Sequence, residues 1–157
     1  MPTEIVAESP DSPETRQLIA ELEAVLNPLY ALESRHGLSV ERLLREGVPF
    51  FVTRHDGQPA GCGGVQLFGT EYGEVKRMYV RPPFRGLGLG RLMLEHLASY
   101  CRQHGVTVLR LETGIYQVEA IGLYERYGFQ RIAPFGPYRV DPVSLCFEKR
   151  LAEYNHD

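Results

Sequence analysis

The chain has 157 residues, 43% hydrophobic and 24% charged, with a formal net charge of −3 at pH 7. That length suits one domain over 1–157 with a sizeable core, and the small negative charge argues against a nucleic-acid partner. No apolar run reaches bilayer-spanning length, the N-terminus MPTEIVAESP lacks a secretory h-region, and the three cysteines (Cys62, Cys101, Cys146) are widely spaced and odd in number. A cytoplasmic protein with reduced thiols and no membrane partner is expected.

In chain order, residues 3–7 read as a strand, and Ser12-Pro13-Glu14 opens a helix with an N-cap, a first-position proline and an acidic first turn. Leu18, Ile19, Leu22, Val25 and Leu26 recur at helical spacing and are expected to face inward, with the helix stopping before Asn27-Pro28. Residues 30–37 read as a loop. A second helix from Ser39 would bury Val40, Leu43 and Leu44 and end at Gly47. Residues 50–53 and 60–68 are expected as strands joined by the turn His55-Asp56-Gly57-Gln58, and 72–80 as the next strand. A helix over 88–104 would bury Leu89, Leu92, Met93, Leu97, Tyr100 and Cys101, with Gly105 capping it. Residues 106–113 read as a buried strand, parallel to 72–80 because a helix lies between them. A helix over 117–127 stops at Gly128, and strands over 129–132 and 143–148 complete an α/β chain with a mixed sheet and helices on both faces.

The stretch between residues 74 and 103 carries the chemistry. Gly86, Gly88 and Gly90 alternate where a loop becomes a helix, and Arg85 and Arg91 bracket them. The first amides of a helix have no partner within it and carry partial positive charge. Glycines let an anion approach those amides, and arginines add charge-assisted contacts to phosphate oxygens, so the stretch Arg85-Gly86-Leu87-Gly88-Leu89-Gly90-Arg91 reads as a diphosphate cradle. It is not a P-loop, because Arg91 and Leu92 stand where Lys and Ser/Thr belong. Nor is it a dinucleotide fingerprint, because Met93 replaces the third glycine and Arg81-Pro82-Pro83-Phe84 separates the loop from its strand. A turn without a ligand is the bland alternative.

The spacing Arg85-x-x-Gly88-x-Gly90 after Met78-Tyr79-Val80 resembles the acyl-CoA signature of the GCN5-related N-acetyltransferase (GNAT) family. The block Ala120-Ile121-Gly122-Leu123-Tyr124-Glu125-Arg126-Tyr127-Gly128-Phe129 resembles that family's second helix and the strand after it, so the likeness covers an acyl-CoA-binding core of about 74–130. The resemblance implies a seven-stranded sheet, acetyl-CoA as cosubstrate without a metal, and direct acetyl transfer to an amine in a ternary complex. It also makes a homodimer a reasonable expectation.

By the same resemblance, backbone groups of Met78, Tyr79 and Val80 would pair with the pantetheine arm as an added strand. The Val80 N–H would polarise the thioester carbonyl, provided that the strand splays from its neighbour. Tyr124 is the expected general acid for the departing thiolate, although its helical spacing with Ala120, Leu123 and Tyr127 also fits a core aromatic. Glu74, six residues before Val80, is the expected base, with Glu112 the runner-up and water the alternative. Gln117 stands where the family often has asparagine and would bond the pantetheine arm, or merely start its helix. Cys146 has no activating neighbour in any motif, so covalent catalysis is set aside. The five histidines (His36, His55, His96, His104, His156) show no metal spacing.

The resemblance further implies an acceptor pocket built from the first two helices and the late loops, here Tyr30, Ser34, Arg35 and His36 together with Phe135, Gly136, Pro137, Tyr138 and Arg139. Aromatics with Arg35 and Arg139 suit a small primary amine that carries a carboxylate, such as an amino acid or an analogue. Acetylation of peptide amines, which needs an open groove, and non-catalytic binding of acyl-CoA remain as alternatives.

Overall fold

The computed structural model describes residues 2–152; His156 lies outside them. Seven strands, β1 (Thr3–Ala7), β2 (Phe50–His55), β3 (Gln58–Phe68), β4 (Tyr72–Val80), β5 (Val108–Gly114), β6 (Gln130–Ile132) and β7 (Ser144–Arg150), form one sheet. Its spatial order is β1-β2-β3-β4-β5-β7-β6. Every neighbouring pair is antiparallel except β4 and β5, which the helix α3 (Leu89–Gln103) connects as parallel strands.

The other helices are α1 (Pro13–Leu26), α2 (Val40–Arg45) and α4 (Val118–Tyr127). Ser12 caps α1 by accepting from the Thr15 amide, and Ser39 caps α2 by accepting from the Arg42 amide. α1 and α2 cover one face of the sheet through Leu18, Leu43, Val52 and Cys62. α3 and α4 cover the other through Leu94, Leu97, Leu109, Leu111 and Phe147. Each fully buried leucine of this kind contributes on the order of 2 kcal/mol by leaving water. A third cluster, Tyr72, Phe135, Tyr138 and Cys146, seals the sheet beneath the segment between β6 and β7.

Several expectations need correction. Val25, Leu44 and Leu92 are exposed by 42%, 45% and 37%, not turned inward. In the short α2, Val40 and Leu43 occupy the buried stripe and Leu44 lies beside it. In α3 the buried row is Leu89, Met93, Leu97 and Cys101, and the unanticipated Leu94 and Ala98 flank it on the side away from Leu92. The β2–β3 hairpin turns on Asp56 and Gly57 alone, both with positive φ (52° and 76°), so pairing continues to His55 and Gln58. Val106 is buried but belongs to the end of the helix, where its amide bonds the Cys101 carbonyl, so β5 begins two residues later.

Candidate active site

The sheet opens beside β4. β4 and β5 pair only at Gly73 with Leu109 and at Glu74 with Arg110, although both strands run on. β4 meanwhile stays paired with β3 as far as Val80, through a bulge in which Arg77 and Met78 lie between the pairs Lys76–Gly64 and Tyr79–Cys62. Arg77 has φ 52°, a left-handed conformation that bends the strand at this point. Beyond Glu74, the edge of β4 away from β3 therefore has no paired strand among the described residues. That is the gap an extended arm would need.

The glycine loop lies at the end of this edge. Gly88 is the N-cap of α3 with φ 77°, and Gly86 has φ 82°. A Cβ at either would meet nothing within 4 Å, so both are required by backbone conformation and leave open space outside. Gly90 differs: a Cβ there would fall 2.7 Å from Leu123 Cδ2, so this glycine also gives α4 room against α3. Arg85 donates through Nε to the Val80 carbonyl at 3.1 Å, and Arg91 lies over the Tyr127 ring and pairs with Glu95. Both guanidinium groups are about half exposed, with side-chain exposures of 45% and 58%.

A cleft of about 530 Å³ joins these parts. Met78, Tyr79, Val80, Arg85, Gly86, the run from Gly88 to Arg91, and Gln117 all line it, as do Val25 and Leu29 from the end of α1. Leu87 is not among the lining residues and is 54% exposed. A second cavity of about 420 Å³ lies toward the other end of the gap, and the two share Leu22, Met78, Gln117, Ala120 and Tyr124. Gln117 accepts from the Tyr30 hydroxyl at 3.1 Å, while that hydroxyl accepts from the Tyr116 amide at 3.0 Å, tying the loop after α1 to the start of α4. Gly114 makes room for the Tyr30 ring, since a Cβ there would overlap it.

Tyr124 stands at the junction. It is the buried residue of α4, its ring meeting Phe129 and Phe147, and its hydroxyl has no hydrogen-bond partner among the described residues. Burial, with a smaller push from Glu112, raises its pKa to about 12. The phenol is thus protonated throughout the neutral range. Tyr124 is part of the core, as the spacing of α4 allows, and it also lines both cavities.

Glu74 is only 2% exposed, contrary to an ordinary surface-strand glutamate. Its Oε2 accepts from the Tyr138 hydroxyl at 2.5 Å and from Lys76 Nζ at 2.9 Å, and Oε1 has no partner among the described residues. Burial first and the Glu74 charge second raise the Tyr138 pKa, so this phenol is a donor to Glu74. Glu112 lines the same cavity and accepts from Ser144 Oγ at 2.6 Å; burial, the largest influence, raises its pKa.

The second cavity corrects the expected acceptor pocket. Tyr30, Ser34, Arg35, His36 and Tyr138 line it, but Phe135, Gly136, Pro137 and Arg139 do not. Phe135 is packed against Tyr72 and Tyr138, and Arg139 is exposed. Arg35 spends Nε on the Tyr30 carbonyl and Nη2 on the Asn27 carbonyl, both at 2.9 Å, and so braces its own loop. The cations missed by the sequence reading are Lys76 and Arg77. The spacing Glu74-x-Lys76 puts those two on one face of a strand, which was a readable signal; Arg77 reaches the same cavity only because of the bulge. Cys146 lines neither cavity, and burial raises its thiol pKa, in keeping with a core residue.

No helix among the described residues is long and apolar enough to cross a membrane. All three cysteines are buried and unpaired.

Comparison with known proteins agrees with this geometry. The model of the Acetyltransferase (GNAT) family matches residues 15–129. The IAA acetyltransferase of Azospirillum brasilense is 45% identical over 149 residues, spanning 94% of this chain and 97% of that relative. Among solved structures, an acyl-CoA N-acyltransferase from Klebsiella pneumoniae superimposes with TM-score 0.81 at 36% identity, covering 96% of this chain and 98% of the other. The PaiA N-acetyltransferase of Thermoplasma acidophilum, solved with coenzyme A, shares the fold with TM-score 0.77 at 19% identity, covering 96% of this chain and 99% of the other. The chain belongs to the GNAT family of acetyl-CoA-dependent N-acetyltransferases.

Proposed function

We propose that this protein moves the acetyl group of acetyl-CoA directly onto the primary amine of a small molecule, with both substrates bound together. The observation that carries this reading is the meeting of the two cavities at Met78, Gln117, Ala120 and Tyr124. One cavity suits an elongated cosubstrate whose phosphates lie at a helix N-terminus. The other holds about 420 Å³ behind the 27–37 segment and Tyr138, which suits a small acceptor better than a peptide.

The open side of β4 from Met78 to Val80 would hold the arm in strand fashion, and the amides after Gly86, with Arg85 and Arg91, would neutralise the diphosphate. The thioester supplies the activated acyl group. The Val80 N–H is the proposed donor to its carbonyl oxygen, where negative charge grows during attack. Tyr124, protonated and otherwise unpartnered, would give its proton to the departing thiolate. Gln117 keeps its amide N–H groups for the arm while its oxygen holds Tyr30.

The acceptor must lose a proton to attack. Glu74 is the proposed base, with Oε1 free and the carboxylate fixed by Tyr138 and Lys76. Glu112 is the second reading, favoured by the one observation that burial raises its pKa toward the range of an efficient base.

Thiol release from acetyl-CoA over a library of small amines, with the product identified by mass, tests the reading. IAA, the acceptor named for the Azospirillum brasilense relative, is tested separately beside that library. Acetylation of at least one small amine at nitrogen supports it; turnover confined to peptides, or acetyl-CoA binding with no transfer to any acceptor, opposes it.

A further inference from the structure

Arg77 occupies an unusual place for a cation. Its side chain is 5% exposed, it lines the acceptor cavity, and its backbone is held at φ 52° within the β4 bulge. A regular strand would turn Lys76 and Arg77 to opposite faces; here both line one cavity. Lys76 is already occupied by Glu74 and Tyr138. Arg77 is not comparably satisfied. Its Nε is buried without a hydrogen-bond partner among the described residues, and its ion-pair partner is Glu23, whose side chain is 45% exposed. A buried guanidinium stays charged and needs its donors filled.

Gly37, in the lining of the same cavity, makes room for it. A Cβ on Gly37 would overlap Arg77 Nη1, so only glycine leaves the guanidinium where it is. Glu23 also lines the cavity, from the last turns of α1, and its exposure lets it swing into water at little cost. Glu74 and Glu112, the two groups able to receive an amine, line the same cavity. A ligand with an ammonium at one end and an anion at the other matches this division of charge.

Resting on the acetyl-transfer reading above, we infer that Arg77 binds a carboxylate of the acceptor and that Glu23 holds that position until the acceptor displaces it. Arg77 is then the residue that makes the enzyme choose amino acids or similar carboxylated amines over plain amines. The role lies with Arg77 and not with Arg35 or Arg139, which the loop carbonyls and the solvent respectively take up.

The test uses the full chain and matched pairs of α-amino acids and their primary amides, with rates compared per unprotonated amine so that the pairs differ in the charge that Arg77 would read. The wild type is expected to prefer the acid by about tenfold or more in kcat/KM, as for a charge-assisted bidentate contact. Arg77→Gln should erase that preference. Because altering Arg77 can disturb the bulge, two variants outside it decide the matter. Glu23→Gln removes the competing carboxylate and should raise the acid-to-amide ratio by about threefold, chiefly through KM. Gly37→Ala displaces the guanidinium and should lower the ratio. A merely structural ion pair predicts that Glu23→Gln changes both acceptors alike, and that result, or equal use of acid and amide by the wild type, overturns the inference. If no amine is acetylated, the transfer reading fails separately. Calorimetric titration of the same pairs into the CoA-saturated protein then decides the role of Arg77: binding of acids and not amides supports it, and binding of neither or of both equally overturns it.

Discussion

The Tyr138 hydroxyl donates a 2.5 Å hydrogen bond to Oε2 of Glu74, joining residues 64 positions apart in the chain. The bond fixes the segment between β6 and β7 over the sheet and holds a buried carboxylate in the lining of the second cavity. Tyr138→Phe keeps the ring and its contacts with Phe135 and His36 but removes the donor. A hydrogen bond to a charged group is worth about 1.5–3 kcal/mol. Urea unfolding should show a loss of that size with an unchanged m-value.

Tyr124→Phe should lower kcat by about 100-fold, the usual scale for a general acid, while leaving acetyl-CoA affinity within about twofold, since the ring is retained. Stopped-time thiol assays and calorimetry separate the two. Because burial raises the Tyr124 pKa to about 12, the phenol should impose no alkaline loss of activity below that pH.

The two carboxylates are distinguished by pH. A base works only when deprotonated, so activity falls as the pH drops through its pKa. If Glu74 is the base, Glu74→Gln removes the acidic limb of the kcat profile and Glu112→Gln leaves it. If Glu112 is the base, its raised pKa places that limb above the ordinary carboxylate range, and Glu112→Gln abolishes it.

The glycines of the cradle should fail in different ways. Gly88→Ala forces a side chain into left-handed backbone at a cost of about 1 kcal/mol, meets no neighbour, and should weaken acetyl-CoA binding. Gly90→Ala collides with Leu123 and should destabilise the α3–α4 contact by about 1–3 kcal/mol. Leu123→Ala should restore part of that loss in the Gly90 variant and none in the Gly88 variant, as read from thermal melts.

What the chain reveals on reading follows from how local each feature is. The glycine loop between Arg85 and Arg91 and its turn into α3 are written in consecutive residues, and helix caps such as Ser12 and Ser39 need only their own turn. The hairpin at Asp56-Gly57 likewise depends on two residues. Arg77 escaped notice because its role depends on a bulge, and a bulge is a mismatch between two strands that neither strand displays alone. Arg35 lines the second cavity as its place in the sequence suggests, but that two of its nitrogens are taken by the Tyr30 and Asn27 carbonyls depends on which carbonyls the folded loop leaves unsatisfied. Glu74 was placed on the right strand, but its burial comes from Tyr138, which only the tertiary fold brings over it. Val25 was taken for a core residue because the helical period marks an apolar face without saying whether protein or a cleft lies beyond it.

The central claim is that the thioester of acetyl-CoA is delivered to Tyr124 where the two cavities join. A crystal structure of the protein with coenzyme A tests it most directly. The account predicts the diphosphate on the amides between Gly86 and Gly90 and the sulfur within about 3.5–4 Å of the Tyr124 hydroxyl, close enough for proton transfer. A sulfur lying beyond about 6 Å from that hydroxyl, with no water between them, would contradict it.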